Sequence, residues 1–334
     1  MKKERSATSF SPRGSNTPGV KSADTPGVIL QPLVSVIMPV YNSAGYVVEA
    51  IESLLNQTYP NLEIVIVDDA STDKTGRILV EFKKLYPQKI RLIRLSQNLG
   101  QGGDSAANVA YQHCRGEFIA RMDADDIAKP ERIQTQINFF QKHPELTVLG
   151  TNAEVINSQG QVVGEKKVPL KHEDIYRAYF SWHPMINPSL MFRRSHLPSK
   201  KNLYSTANPT NNDYHTLMRM ISRGAKFSNL PQKLIYYRIH EKNDSLIHVR
   251  RMFKNTLRTR FRAVGRFGYQ ASLIGWFVLL AQMILVYLLP EKIMFQLYLV
   301  LRGFNKYQLA SSWTAVKNSL DLKKLLTRWS LTKT

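Results

Sequence analysis

Short apolar runs alternate with amphipathic stretches through the first half of the chain. The apolar runs are residues 34–39, 62–67, 90–95 and 118–122. Each is typical of a strand buried in a parallel sheet. Between the first two, apolar residues recur at helical spacing at Val47, Ile51 and Leu54, after Asn42 or Ser43 as a helix cap. Repeated strand–helix units predict an α/β fold with a doubly wound, mostly parallel sheet and helices on both faces.

A longer apolar run lies near the C-terminus. No charged residue occurs between Phe267 and Pro290, and seven basic residues precede this run in RRMFKNTLRTRFRAVGR. A helix of this length measures about 30 Å, the thickness of a bilayer core, and flanking basic clusters suit anionic headgroups. We therefore predict a basic helical region over residues 248–334 with an apolar membrane segment at about 267–290. The alternative is a buried helix of a soluble domain.

Two topologies fit the predicted membrane segment. A single crossing would place residues 291–334, with their basic excess, outside the cell, which the positive-inside tendency disfavours. The next apolar run, residues 293–301, is too short to return across a bilayer. The sequence therefore favours a helix that enters the cytoplasmic leaflet and turns back at Pro290, and leaves the single crossing as the second possibility.

The formal net charge of +21 is concentrated at the C-terminal end. Residues 248–334 hold 15 Lys and Arg against 2 Asp and Glu. A charge of this size indicates a polyanionic partner. Because the basic residues flank an apolar span and are not interleaved with aromatic residues on one face, the pattern favours a membrane with anionic lipids and no nucleic acid.

The first residues and the cysteine content indicate a location. Residues 1–32 are rich in Ser, Thr, Gly and Pro, which predicts a disordered basic tail. They contain no apolar run long enough for a signal peptide. The single cysteine, Cys114, excludes a disulfide framework and a Cys-rich zinc site. We therefore expect the folded part at the cytoplasmic face of the cell membrane.

Acidic residues follow two of the predicted strands directly. Asp68 and Asp69 follow the second, and Asp123, Asp125 and Asp126 follow the fourth. Ligands of such sheets bind at the carboxyl ends of the strands, and carboxylates there can hold Mg²⁺ or Mn²⁺. The alternative is that these aspartates only shape turns and helix caps. A nicotinamide cofactor is disfavoured, because the first strand–helix turn, PVYNSAG, lacks the glycine fingerprint.

Several separated segments occur in a fixed order over about residues 33–247. They are VSVIMPVYNSAG, VIVDDASTD, NLG, GEFIARMDADD, HPMINPSLMFRRS and RGAKFSNLPQKLIYYRIHEKNDS. Together they resemble the family 2 glycosyltransferases of the GT-A fold. The resemblance implies a nucleotide-sugar-binding half at 33–130 and an acceptor and catalytic-base half at 131–247. It further implies metal-dependent, inverting transfer from a nucleotide-sugar, with UDP as the usual nucleotide, to a lipid-linked or cell-surface glycan.

The resemblance also implies roles for individual residues. The segment NNDYHTLMR places Asp213 in the position of the catalytic base, with His215 and Asp244 as the next candidates. Asp125 and Asp123 match the family's metal-binding D-x-D pair. The residues implied in donor binding are Pro39, Tyr41, Asn42, Asp68, Asp69, Asp123, Arg238 and His240.

Two departures from the family pattern leave a second function open. Asn212 stands where members commonly have Glu, and Ala107 stands where they commonly have an arginine that approaches the donor phosphates. Arg115, Arg121 or Arg238 would have to supply that cation. The alternative function is a catalytically impaired, nucleotide-sugar-binding membrane protein, and a third possibility is a basic membrane scaffold.

Overall fold

The computed structural model of the chain describes residues 31–208, 211–240 and 249–288. The predicted tail at 1–32 therefore lies outside the described residues except for its last two positions. Residues 289–334, on which the choice between the two membrane topologies depends, also lie outside them.

The first half of the fold consists of strand–helix units, as predicted. Its elements are β1 (Val34–Val40), α1 (Val47–Leu55), β2 (Leu62–Asp68), α2 (Thr75–Leu85), β3 (Ile90–Arg94), α3 (Asp104–Gln112) and β4 (Phe118–Arg121). The four strands pair in parallel in the order β3-β2-β1-β4. All seven residues of β1 are buried, which explains the continuous apolar run in its sequence.

The second half contains strands of very different length and the remaining helices. Its elements are β5 (Ile127–Ala128), α4 (Arg132–Lys142), β6 (Leu146–Ile156), β7 (Val162–Lys166), α5 (His172–Tyr179), β8 (Met191–Arg193), α6 (Asn212–Ser222), β9 (Lys226–Arg238), α7 (Val249–Phe267) and α8 (Leu273–Leu288).

In the described part of the chain, one mixed sheet holds all the strands. Their order is β3-β2-β1-β4-β8-β6-β9-β5, with β7 paired to β6. Beyond β4 the pairing is mixed, because β8 is antiparallel to both β4 and β6 and β5 is antiparallel to β9, whereas β6 and β9 pair in parallel. The α/β class is confirmed, but the prediction of a mostly parallel sheet is wrong for this half. The turn at Gly160, which has a φ of 80°, joins β6 to β7 as a hairpin, a connection that only antiparallel strands allow.

Helices cover both faces of the sheet, as the sequence predicts. Successive residues of β1 point to opposite faces, so that Val36 and Met38 enter one apolar core while Ile37 enters the other. The first core includes residues of α1, α2 and α4, and the second includes residues of α3, α5 and α6. The sheet is therefore fixed from both sides, and the loops at its edge project from a rigid frame.

The two C-terminal helices share the second core. Both helices bury a residue in it, Ala263 of α7 and Leu279 of α8. Tyr269, in the segment between the two helices, is buried there as well. The Arg260 guanidinium lies between α6 and α8, where it donates to Tyr214 Oη at 3.2 Å and to Gln282 Oε1 at 2.7 Å. None of the helices in the described ranges combines the length and the apolarity that crossing a bilayer requires. The membrane segment predicted at 267–290 is thus not shown as a spanning helix.

Candidate active site

The predicted donor-site residues lie at one edge of the sheet. β2 ends at Asp68, Tyr41 directly follows the last residue of β1, and Asp123 lies two residues beyond the end of β4. These three strands are neighbours and run parallel. Their carboxyl ends therefore meet at the edge where ligands of such sheets bind.

Asp68 and Asp69 are buried and support the surrounding loops. The Asp68 carboxylate accepts the backbone N–H of Ser71 at 3.0 Å and Nε of Arg94 at 3.2 Å. The Asp69 carboxylate accepts the backbone N–H of Leu99 at 2.8 Å. Burial raises the pKa of Asp69, and the Leu99 bond opposes this. Contact of either aspartate with a nucleoside base stays a prediction.

The loop after β1 is braced against the loop after β2. Asn42 adopts a left-handed backbone with a φ of 47°, and its Oδ1 accepts the backbone N–H of Thr72 at 2.8 Å. Pro39 is buried at the end of β1. The Tyr41 side chain is 49% exposed at this edge, where an aromatic ring can stack on a planar base. The predicted roles of Pro39, Tyr41 and Asn42 as walls of a base pocket are compatible with this placement.

Asp123 is paired with a buried arginine. Nε and Nη2 of Arg121 both lie 2.8 Å from Oδ1 of Asp123. Burial raises the pKa of Asp123, and the positive charge of Arg121 opposes that rise. The Arg121 side chain packs with its guanidinium 5.5 Å from the Tyr204 ring centre, and its Nη1 has no hydrogen-bond partner within the described ranges.

Asp125 and His240 meet although they are 115 residues apart in sequence. His240 follows β9, and its Nε2 lies 2.9 Å from Oδ2 of Asp125. The Tyr46 ring stacks on the imidazole with ring centres 5.0 Å apart. The neighbouring carboxylate of Asp126 is buried and accepts the backbone N–H of Arg238 at 2.7 Å. The end of β9 is thereby tied to the loop that carries the acidic residues.

Arg238 has a supporting role in the structure. Its buried guanidinium donates from Nε to the Asp125 carbonyl at 2.8 Å and from Nη2 to the Glu49 carboxylate at 2.5 Å. Nη1 lies 3.3 Å from the Asn157 carbonyl. These bonds fix the loop after β4, and contact of Arg238 with a pyrophosphate stays a prediction that would require some of them to be exchanged.

The structure distinguishes the three cations proposed to replace the family arginine at Ala107. Arg115 pairs with Glu63 at 2.8 Å, near the N-terminal end of β2 and thus at the edge opposite the site. Arg121 lies among the acidic side chains of the site, next to Asp123 and near Asp104. Burial would lower the pKa of Arg121, but the charges of Asp123 and Asp104 more than offset this and raise it. Arg121 and Arg238 are therefore both buried cations of the site, and Arg121 is the one that pairs with Asp123.

Asp213 lies in the first turn of α6. Its Oδ1 accepts the backbone N–H of Tyr214 at 2.7 Å, and its Oδ2 lies 3.4 Å from Nε2 of His183. Burial alone would raise its pKa, but the hydrogen bond from His183 and the charge of Arg121 lower the pKa of Asp213 below its ordinary value. Asp213 is thus ionised at neutral pH, as a general base must be.

Asp104, at the start of α3, is a site residue that the sequence interpretation missed. Its buried carboxylate lies near Asp213 at the start of α6. Burial, together with the negative charges of Asp213 and Asp123, raises the pKa of Asp104 well above its ordinary value. The preceding Gly103 has a φ of 82° and starts the helix at this position. An aspartate in the first turn of a helix is usually a capping residue, so the local sequence gives no signal of this contact.

His215, the next candidate for the base, is oriented away from Asp213. Its ring contacts Phe267 of α7 with ring centres 5.6 Å apart. Burial and the nearby charges of Arg262 and Arg219 lower the pKa of His215 to about 4. A group with this pKa is neutral but a weak base at pH 7, and it serves the packing of α6 on α7. Asp244, the other candidate, lies outside the described residues.

The side chains at this edge can supply part of a metal site. In the described ranges, no group of three or more acidic, histidine or cysteine side chains is arranged to enclose a metal ion. Mg²⁺ usually takes one or two protein carboxylates and completes its shell with water and substrate phosphates. Asp125, with His240 beside it and Asp123 nearby in the loop, fits that kind of open site.

The sequence as a whole has clear relatives. Residues 35–225, more than half of the chain, match the family model described as Glycosyl transferase family 2. An uncharacterized glycosyltransferase of Haemophilus influenzae is 34% identical over 225 residues, covering 65% of this chain and 68% of that protein. The O-antigen biosynthesis glycosyltransferase WbnJ of Escherichia coli is 30% identical over 213 residues, covering 63% of this chain and 81% of that protein.

Solved structures agree on the fold. The crystal structure of S. aureus TarS in complex with UDP-GlcNAc has a TM-score of 0.58 at 22% identity, covering 74% of this chain and 70% of that chain. The mannosyltransferase PcManGT from Pyrobaculum calidifontis, in complex with GDP-Man and Mn²⁺, has a TM-score of 0.55 at 19% identity, covering 90% of this chain and 84% of that chain. These likenesses confirm the GT-A-type fold. The family match over residues 35–225 establishes that the chain belongs to glycosyl transferase family 2 and is a glycosyltransferase.

Proposed function

We propose that the protein is an inverting glycosyltransferase that transfers a sugar from a nucleotide-sugar to a lipid-linked or cell-surface glycan at the cytoplasmic face of the membrane. The observation that carries the proposal is the placement of Asp213. This ionised carboxylate from the second half of the fold lies close enough to Asp123 of the first half for their charges to interact. An inverting transfer needs one base opposite the leaving group, and the site contains one ionised carboxylate in that role.

The proposed reaction is a single displacement. The acceptor hydroxyl oxygen attacks the anomeric carbon while its proton passes to the Asp213 carboxylate. The bond between the anomeric carbon and the phosphate oxygen breaks, and the nucleoside diphosphate leaves with that electron pair. Because attack and departure occur on opposite faces of the sugar, the anomeric configuration inverts.

A divalent cation fits the residues at the donor side. Asp125 and Asp123 would hold Mg²⁺ or Mn²⁺ together with the donor diphosphate, with His240 beside Asp125. The PcManGT complex contains Mn²⁺ with GDP-Man, which supports this assignment. When bound, the ion would stabilise the negative charge that develops on the leaving diphosphate. Arg121, buried beside Asp123, would keep that carboxylate oriented toward the same place.

The donor class can be tested directly. TarS binds UDP-GlcNAc and PcManGT binds GDP-Man in the structures named above, and a UDP-sugar is the donor we propose. Purified protein with Mg²⁺ or Mn²⁺ would be incubated with a panel of nucleotide-sugars and a polyprenyl-linked acceptor, and release of nucleoside diphosphate would be measured. We expect one donor to be used and NMR to show an inverted anomeric centre. A retained configuration would refute the mechanism.

The alternative of an impaired, nucleotide-binding protein rests on Asn212 and Ala107. Asn212 is buried. Its Oδ1 accepts the backbone N–H of Asn208 at 3.0 Å, and its Nδ2 donates to the Asn208 carbonyl at 2.9 Å. It therefore supports the entry to α6 and leaves Asp213 as the reactive group. Binding of a nucleoside diphosphate without turnover of any donor in the same panel would favour this alternative.

The C-terminal helices support a location at the membrane surface. Large apolar side chains of α8 are exposed, and Phe277 is 71% accessible to solvent. The others on this helix are Leu273, Ile274, Trp276, Leu280, Ile284, Leu285, Tyr287 and Leu288. Next to them α7 exposes Phe261 together with Lys254, Arg258 and Arg266. An apolar surface with basic residues at its border suits a bilayer that contains anionic lipids.

We predict that exchanging Ile274, Phe277 and Ile284 for serine will weaken binding to vesicles. Each of these side chains contributes about 1.5–3 kcal/mol when it is fully buried, so the partition coefficient onto anionic vesicles should fall at least about tenfold. Flotation assays would measure the bound fraction, with Leu85→Ser as the matched control, because Leu85 of α2 is 72% exposed and outside this surface. Unchanged flotation of the triple variant would refute the surface assignment.

A further inference from the structure

We propose that His183 is a positioning residue for the base: its Nε2–H donates to the Asp213 carboxylate and holds one oxygen toward the acceptor. His183 lies in the loop after α5, in the segment HPMINPS. The proposal rests on the role of Asp213 as the base in the transfer proposed above. It adds a residue that acts through that base and touches neither donor nor metal.

The hydrogen bonds of the imidazole define its tautomer. The backbone N–H of Met185 donates to Nδ1 of His183 at 3.4 Å. An imidazole nitrogen that accepts a hydrogen bond carries no proton, so in the neutral ring the proton is on Nε2. That nitrogen is buried, lies 3.4 Å from Oδ2 of Asp213 and makes no hydrogen bond in the described part of the chain. The separation exceeds an ordinary hydrogen bond, and contacts of this kind commonly shorten when substrate binds.

The ring of His183 is held in place by aromatic neighbours. Its centre lies 5.7 Å from that of Tyr179 and 5.4 Å from that of Tyr214. These two rings are themselves fixed, since the Tyr214 hydroxyl donates to the Tyr179 carbonyl and accepts from Nε of Arg260. The aromatic neighbours therefore hold the imidazole with Nε2 near Asp213, so that only a small approach is needed to make the hydrogen bond.

Charged groups from several elements surround Asp213. They are Asp104 from α3, Arg121 from β4, Asp123 from the following loop and His183, with the buried hydroxyls of Tyr179 and Tyr204 nearby. The negative charges of Asp104 and Asp123 disfavour an ionised Asp213. The positive charge of Arg121 favours it, but Arg121 is bonded to Asp123. Within the described part of the chain, His183 is the basic side chain that lies within 4.0 Å of the Asp213 carboxylate.

The His183→Phe variant tests this assignment, because it keeps an aromatic ring against both tyrosines and removes the donor. We expect turnover at neutral pH to fall about tenfold through loss of orientation, with the donor KM unchanged. Loss of the hydrogen bond should also raise the pKa of Asp213. Since activity requires the ionised base, the acid limb of kcat/KM for the acceptor should move to higher pH, by about one unit.

His183→Gln should restore most of both properties, because its side-chain amide places an N–H near the position of Nε2. His113→Asn, at an exposed position after α3, is the matched control and should leave the profile unchanged. An unmoved acid limb and unchanged turnover in His183→Phe would overturn the inference. If that variant does not fold, His183→Asn, whose shorter amide cannot reach Asp213, replaces it in the comparison with His183→Gln. Failure of the wild-type chain to turn over any donor would instead refute the proposed function.

Discussion

Replacing Asp213 with asparagine is expected to lower turnover by about 10² to 10⁴-fold, the usual cost of removing a general base, while donor binding is retained. The substitution is nearly isosteric, and the amide oxygen can still accept the backbone N–H of Tyr214. The start of α6 should therefore keep its structure. Steady-state rates at saturating acceptor would give the loss in kcat, and calorimetry with the nucleoside diphosphate would show that the donor site is intact.

Asp174→Asn is the matched control, since Asp174 is an exposed aspartate in the first turn of α5, another helix of the same half. It should leave the rate unchanged. A wild-type rate in Asp213→Asn would move the base to another group. His215 is a poor substitute, because it contacts Phe267 on the far side of α6. Asp104, whose buried carboxylate lies near Asp213, would then be the next residue to replace.

The first half of the sheet could be predicted almost to the residue. The strands predicted at 34–39 and 62–67 are observed at Val34–Val40 and Leu62–Asp68, because buried parallel strands produce continuous apolar runs. The shortest strands of the second half could not be predicted, since β5 has two residues and β8 has three. Segments this short have no periodicity, and their antiparallel pairing is decided by contacts with residues distant in sequence.

The helix caps show the limit of local rules. Asn42 or Ser43 was predicted to cap α1, but α1 begins after Tyr46, and the Asn42 side chain bonds the loop before α2. A short polar side chain accepts any nearby N–H, and in this fold the nearest one belongs to Thr72. The loop after β1 is consequently held by a residue that its own sequence context assigns to the following helix.

The candidate site was predictable where it follows strand ends and was missed where distant segments meet. The aspartates after β2 and β4 lie where the pattern placed them. By contrast, the contacts of Asp104 and His183 with Asp213, and that of Glu49 with Arg238, join elements far apart in sequence. No local signal marks such contacts, because the residue types involved are equally common at helix starts, in loops and on exposed helix faces.

Asp125→Ala should lower turnover by about 10³-fold, because a divalent cation contributes several kcal/mol to stabilising the leaving group. Asp123→Ala should have a weaker effect. The fold should persist, since the backbone carbonyl of Asp125, which accepts Nε of Arg238, is retained in alanine. The lost side chain bonds His240. In the variant, calorimetry should show that binding of the nucleoside diphosphate no longer depends on Mn²⁺.

Asp126→Ala provides the structural contrast to Asp125→Ala. The Asp126 carboxylate is buried and accepts the backbone N–H of Arg238, so its removal leaves a buried donor unpaired and should cost about 1–3 kcal/mol of unfolding free energy. Thermal melting should therefore separate the two variants, with Asp125→Ala close to wild type and Asp126→Ala destabilised. Normal turnover by Asp125→Ala in buffer treated with EDTA would exclude Asp125 as a metal ligand. Arg121, the buried cation beside Asp123, would then be the group that neutralises the charge of the donor diphosphate.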